Sequence, residues 1–363
     1  MISGRGRFSF DATILSCHAT SVLGAGFQQS VATVRAGALA NFADVGKEVG
    51  LDVRRVMRDA GLDWSLLSEP DRRIPTDAVA KVLETAAARS KCQTLGLRMA
   101  EARRLSDFGA VGLLIAHQPT LRDALDSTVR YRRLLNEALA MSVEEADDLA
   151  ILREELVLEG HGTARQAYEL AIGTMFRMFG ALLGPRWRPY SIGFTHSPPA
   201  DLSVHRRLFG CDIRFNSDFN GIVFWRQSLD LPNPAADPVM AEYARKYVEA
   251  FAPPRPEPTP VEVLKTIHLL MPVGRASIPQ VASWLRVSVR TLQRRLSADG
   301  KDFSDLLNGA RRDLALRYLQ SSDLSATEIA RLLGYGQLSS FTRWFKDEFG
   351  VAPSNWPRRS GSA

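Results

Sequence analysis

The sequence has too little of several things to belong to most functional classes. It carries 3 cysteines in 363 residues, Cys17, Cys92 and Cys211, and no two form a C-x-x-C pair. So few and so scattered, they give neither a disulfide framework nor a zinc site, and no metal is expected. The 6 histidines are dispersed, with no H-E-x-x-H. No G-x-S-x-G, Walker A or glycine-rich strand-to-helix loop occurs, and Gly24–Gly26 is too short to count as one. No apolar run reaches the ~18 residues that span a bilayer. Arg5 and Arg7 precede a stretch broken by Asp11, Ser16, His18 and Ser21, a poor signal peptide. The expectation is a reduced, cytoplasmic, membrane-free protein without cofactor or catalytic residues.

Net charge is lacking in the first part and concentrated in the last. Val261 to Arg359 holds 12 Arg and 3 Lys against 9 Asp and Glu, which accounts for the whole net charge of +6. The remainder has 31 basic and 31 acidic residues. A basic C-terminal part is the electrostatic footprint of a phosphate-binding surface. An architectural nucleic-acid protein would be basic throughout. Ala252–Pro260, APPRPEPTP, has five prolines in nine residues and reads as a stiff, extended linker. The expected organisation is an extension at 1–30, disordered or mis-started, a domain at 31–251, the linker at 252–260 and a second domain at 261–358.

The second domain holds two copies of one pattern. Ser325 and Glu328 have capping-box spacing, Ile329, Ala330, Leu332 and Leu333 form a short apolar face, and Gly334 ends the helix. From about Gln337 to Phe349, helical spacing puts Leu338, Phe341, Phe345 and Phe349 on one side. Ser339, Ser340, Arg343 and Asp347 fall on the other. About 48 residues upstream, Ser277 and Gln280 repeat the box, and Pro279 sits in the first turn. After a one-residue slip in the turn, Leu292, Arg294 and Leu296 match Phe341, Arg343 and Phe345. Here Val289, Leu292 and Leu296 face inward, Arg290, Thr291 and Arg294 outward, and Gln293 lies near the boundary. Phe303–Gln320 reads as one connecting helix of roughly 27 Å at ~1.5 Å per residue. Successive major grooves on one face of B-DNA lie about 34 Å apart, so such a helix suits two reading helices. Arg311, Arg312 and Arg317 on it are expected to contact phosphates or to pair at the surface with Asp313.

These residues resemble the DNA-binding domain of the AraC/XylS family of transcription regulators over 265–358. The likeness is carried by A-x-x-L-x-V-S-x-R-x-L-Q-R at Ala282–Arg294 and I-A-x-x-L-G-Y at Ile329–Tyr335. The most specific part is S-x-F-x-R-x-F-K-x-x-F-G-x-x-P at Ser339–Pro353. Gly336–Gln337–Leu338 departs from the polar residues usual there. The resemblance implies double-stranded DNA as partner and places base-reading side chains at Arg290, Gln293, Arg294, Ser339, Ser340 and Arg343; Thr291 and Gln337 complete the expected DNA-binding set. It also implies a homodimer, and contact with RNA polymerase if the protein activates.

The first domain reads as helices plus a few strands, so the whole is mainly α with a small α+β portion. Helices are expected at Thr76–Arg89, Leu95–Leu105, Thr120–Leu135, Thr163–Leu183 and Asp237–Phe251. Gly109–His117 should be a buried helix with close backbone approach. Leu139–Glu145 and Leu149–Leu158 should pair through Ala146–Asp148, and Tyr190–Thr195 and Gly221–Trp225 are further strands. Over Val31–Leu231 the sequence resembles the effector domain of the family's arabinose-binding-like branch. VRAG…AGLD at Val34–Asp63, FGAVGLL at Phe108–Leu114 and LRDALDSTVRYRRLL at Leu121–Leu135 carry that likeness. It implies a small-molecule effector without implying arabinose. Met175, Phe176, Met178 and Phe179 are either core or pocket lining, and a site formed by His196 and His205 with Glu154–Glu155 is a minor alternative.

Overall fold

The computed structural model describes residues 32–158, 164–251 and 259–357. The expected extension, with Cys17 and Gly24–Gly26, and most of the proline-rich segment lie outside those residues. The N-terminal domain opens with β1 (Thr33–Arg35), antiparallel to β2 (Arg73–Pro75), with Val34 opposite Ile74. Between them run α1 (Phe42–Glu48) and α2 (Val53–Asp59), and α3 (Thr76–Ser90) and α4 (Leu95–Glu101) follow. These helices close over Phe42, Met57, Leu83 and Leu95.

Next come α5 (Ala110–Ala116) and α6 (Leu121–Leu135), then the hairpin of β3 (Leu139–Ala146) and β4 (Leu149–Leu156). The domain finishes with α7 (Arg165–Leu183), β5 (Ser191–Gly193), α8 (Ser203–Phe209), β6 (Asp212–Arg214), β7 (Asn220–Trp225) and α9 (Pro238–Phe251). The sheet runs β3-β4-β7-β5-β6, with only β5 and β6 parallel. Helix α7 is apolar on most of its circumference and is buried accordingly. Its Leu170 packs into the helical core, and its Ile172, Phe176 and Phe179 into the core over the sheet. Gly96 permits the α4–α7 contact, since a Cβ there would collide with the Gln166 carbonyl. Gly112 lies equally close to the Leu105 carbonyl, the close approach the sequence suggests.

The C-terminal domain is helical: α10 (Pro260–Leu270), α11 (Ile278–Trp284), α12 (Val289–Ala298), α13 (Phe303–Ser321), α14 (Ala326–Leu332) and α15 (Leu338–Phe349). Its core joins Ile267, Leu292, Leu314, Tyr318, Ile329 and Phe341. Helix α10 also packs on β3 and β4, and its Glu262 meets Arg132 of α6 at 2.5 Å.

The chain is therefore mainly helical, with a mixed sheet in the N-terminal domain and a helical C-terminal domain, as the sequence implies. Three details differ. Strands β1, β2 and β6 have three residues each, too short to show a period. The helix expected to reach Leu105 stops at Glu101, and Leu105–Phe108 forms a separate 3-10 turn. Leu338, expected inside, is 41% exposed because it is the first residue of α15, before the buried run begins at Phe341.

Candidate nucleic-acid interface and effector cavity

The two helix-turn-helix units match in their first helices and turns. Both capping boxes close, Ser277 with Gln280 and Ser325 with Glu328. The Val287 N–H donates to the Ala282 carbonyl at 3.0 Å, and the Tyr335 N–H to the Ala330 carbonyl at 2.9 Å. Each turn needs one left-handed residue, Arg286 (φ 56°) in the first and Gly334 (φ 77°) in the second. The slip seen in the sequence is Gly336, one extra turn residue before α15. The two second helices begin differently. Ser288 caps α12 by accepting from the Thr291 N–H, whereas Gln337 caps α15 with no side-chain bond.

Of the residues named from the sequence, Arg290, Gln293 and Arg294 are exposed on α12, and Arg343 and Ser339 are exposed on α15. Gln337 is exposed at the end of α15, and Ser340 is half-buried. Thr291 is half-buried too, its hydroxyl 2.8 Å from Ser288 Oγ. Among the described residues Arg290, Arg294 and Arg343 enter no ion pair. The arginines of the connecting helix differ: each has a partner within the protein, and for Arg317, which is buried, the expectation of a phosphate contact or surface pair is corrected. Arg311 donates to the Leu333 carbonyl and stacks over Tyr335, and Arg312 meets Glu348 at 2.6 Å. Arg317 is buried in a bond to Glu155 of β4 at 2.7 Å and also donates to Tyr168 of α7. Burial works against its charge, but the Glu155 carboxylate more than offsets this and holds Arg317 well above its ordinary pKa. These partners lie in the other domain, which no local spacing reveals.

The suggested His196, His205 and Glu154–Glu155 site is also corrected. The carboxylate those histidines meet is Glu169 of α7, 3.1 Å from His205 and 3.5 Å from His196. Burial pushes His196 down to about 4, so the ring is neutral near pH 7. His117 contacts the Ala235 carbonyl at 3.3 Å, a boundary position.

A cavity of about 150 Å³ lies between the two cores of the N-terminal domain. Val34, Val79, Leu83, Leu135, Leu170 and Met175 line it, together with Arg35, Arg103, Asp107 and Glu154. Met175 is thus lining, while Phe176, Met178 and Phe179 belong to the core. Glu154 on β4 is 1% exposed, and neither carboxyl oxygen has a hydrogen-bond partner among the described residues. Burial pushes its carboxyl up to about 8. One hint lies in the sequence: β4, LAILREEL, carries two consecutive carboxylates after Arg153 in a strand whose other residues are apolar.

Paired helix-turn-helix units behind a cavity-bearing α+β domain define a two-part DNA-binding regulator. The profile of the arabinose-binding domain of AraC transcription regulators, N-terminal, matches residues 50–233, and a helix-turn-helix domain profile matches residues 281–359. The chain belongs to the AraC family of transcription regulators, and it is not an enzyme. It is similar to the HTH-type transcriptional regulator VirS of Mycobacterium tuberculosis, 29% identical over 330 residues, 90% of this chain and 97% of the relative. It is also similar to the Ornithine utilization regulator of Pseudomonas aeruginosa, 25% identical over 314 residues, 86% and 93% of the two chains. The crystal structure of the transcriptional regulator CdpR from Pseudomonas aeruginosa aligns over 83% of this chain and 96% of its own, at 18% identity and a TM-score of 0.42. No helix among the described residues is long and apolar enough to cross a membrane.

Proposed function

We propose that this regulator reads two adjacent major-groove segments with α12 and α15, under control of a small effector held in the N-terminal cavity. The observation that carries the reading is the repetition of an exposed, unpaired arginine at equivalent places in two matching units, Arg294 and Arg343. The arginines of the connecting helix are spent on protein partners, whereas Arg294 and Arg343, like Arg290, enter no ion pair among the described residues. An arginine can give guanine O6 and N7 a bidentate pair worth about 1–3 kcal/mol against the wrong base. Arg290, Gln293, Gln337, Ser339 and Ser340 complete the reading set, and Thr291 serves it by holding the start of α12. In this reading residues 31–251 sense and 261–358 bind DNA, across the linker at 252–260, in the cytoplasm where the promoter is.

Strand β4 supports the control. Successive side chains of a strand point to opposite faces. Glu154 enters the cavity while Glu155 holds Arg317 on the helix that joins the two reading units. A ligand that binds one arrangement of β4 and α7 better than another shifts how α13 is held.

Selection of bound sequences from a random DNA library, at a stated salt concentration, tests the DNA reading. The expected result is a motif of two boxes about one helical turn apart. Arg294→Ala then relaxes one position in one box, and Arg343→Ala one position in the other. A single box, or unchanged specificity in both variants, removes the paired reading. A low ratio of specific to nonspecific binding makes the protein architectural instead.

A further inference from the structure

We infer that the cavity takes a small molecule with a cationic nitrogen, a primary ammonium on an apolar body, and that Glu154 is its counter-ion. The inference deepens the effector reading and rests on it. Size comes first. A cavity of about 150 Å³ holds a molecule on the order of benzene, roughly six to eight non-hydrogen atoms. The apolar walls of Val79, Leu83, Leu170 and Met175 suit a hydrocarbon body.

Charge decides the head group. A buried carboxyl without a partner costs free energy, and native proteins rarely retain one without a use for it. Glu154 is the charged group on these walls with no side-chain hydrogen bond among the described residues; Arg103 has a buried Nε without a partner but is bonded through both of its other nitrogens. The other charged groups on its walls are already engaged. Arg35 donates to Asp71 at 2.6 Å and to the Asp107 carbonyl at 2.9 Å. Arg103 donates to the Gly37 carbonyl at 2.6 Å and to the Ala38 carbonyl. Asp107 accepts from the Arg104 N–H at 3.0 Å and lies 4.0 Å from Arg103. An anionic ligand would thus meet cations already bonded and a carboxyl with nothing to give it once ionised. An ammonium would supply charge-assisted donors to both free oxygens, away from water, where such bonds are strongest. Because burial raises the Glu154 carboxyl to about 8, the empty site holds a proton at pH 7. Binding a cation then expels that proton.

The test uses the full chain and two matched sets of probes. One set is n-pentylamine, n-hexylamine and benzylamine; the other is 1-pentanol, 1-hexanol and benzyl alcohol. Calorimetry should show amine binding that Glu154→Gln weakens at least tenfold, with the alcohols weaker throughout. In two buffers of different ionisation enthalpy, binding of the two alkylamines should release close to one proton at pH 7 and close to none at pH 9. Glu154→Leu should melt above the wild-type chain without ligand, which shows that the variants fold. Alcohols binding as well as amines, no amine binding at all, or an unchanged Glu154→Gln each overturns the inference. Affinity for the selected DNA, with and without each probe, separates the two readings. An amine that binds without altering DNA affinity leaves the ligand class standing and removes the control. A non-amine that occupies the cavity and alters DNA affinity keeps the control and overturns the ligand class.

Discussion

Two neighbouring glutamates on one strand meet opposite fates, and the alternation of side chains explains why. Glu155 faces the C-terminal domain and finds Arg317, while Glu154 faces the cavity and finds no partner among the described residues. The consequence for stability follows from the sign of the shift. Unfolded, the Glu154 carboxyl titrates near the ordinary value of 4.5; folded, it titrates at about 8. Between those values the native state binds the extra proton, so stability falls as pH rises from about 4.5 to about 8. The full effect is on the order of 4–5 kcal/mol. Glu154→Gln removes this dependence. The melting temperature of the variant should therefore exceed that of the wild type by a margin that widens from pH 5 to pH 8. A margin that stays constant over that range means that the carboxyl has a partner after all.

At the scale of the element, the two helix-turn-helix units show how a shared fold tolerates different local solutions. The first turn places Arg286 at a positive φ, where glycine would sit with less strain, and the second uses Gly334. Conversely, Ser288 caps α12, and Gln337 leaves α15 without a side-chain cap. Gln337→Ser should supply the missing acceptor, worth about 1 kcal/mol, and slow exchange of the first α15 amides about fivefold in the absence of DNA. Unaltered exchange would show that this end is already held by other groups. These units were legible in the sequence because capping boxes, turn glycines and apolar faces are set by residues three or four apart. The connecting helix, the β3–β4 hairpin and α7 were legible for the same reason. The partners of Arg311, Arg312 and Arg317 were not, nor was the lone Glu154. Those depend on which surfaces distant segments bring together: Arg317 meets a carboxylate 162 residues away. Of the cavity, only Met175 and Glu154 are marked as candidate site residues by the sequence. The outward arginines of both reading helices could be placed in advance, because a helix face is a local property.

At the scale of the molecule, the contacts between the two domains are unequal, and that inequality says where the proposed control would act. Arg331 and Asp218 pair at 3.0 Å, but both are about half exposed, and such a pair contributes about 0–1 kcal/mol. The Ser197 N–H donates to the Ser321 carbonyl at 2.8 Å, which fixes the end of α13 without charge. Glu155 and Arg317 are buried, share Tyr168 and tie the strand behind the cavity to the helix between the reading units. Removing one member strands the other, so Arg317→Met alone should cost about 3–5 kcal/mol of stability. Replacing both, Glu155→Leu with Arg317→Met, leaves no stranded charge and should recover most of that loss. The double variant separates folding from coupling. It should select the same two-box DNA motif as the wild type, since no reading side chain has changed. Its domains should be less firmly joined, seen as a larger radius of gyration in small-angle scattering and a changed affinity for that motif without ligand. A double variant that scatters and binds DNA as the wild type does would move the coupling to another contact, with the Glu262 bond to Arg132 the next to replace.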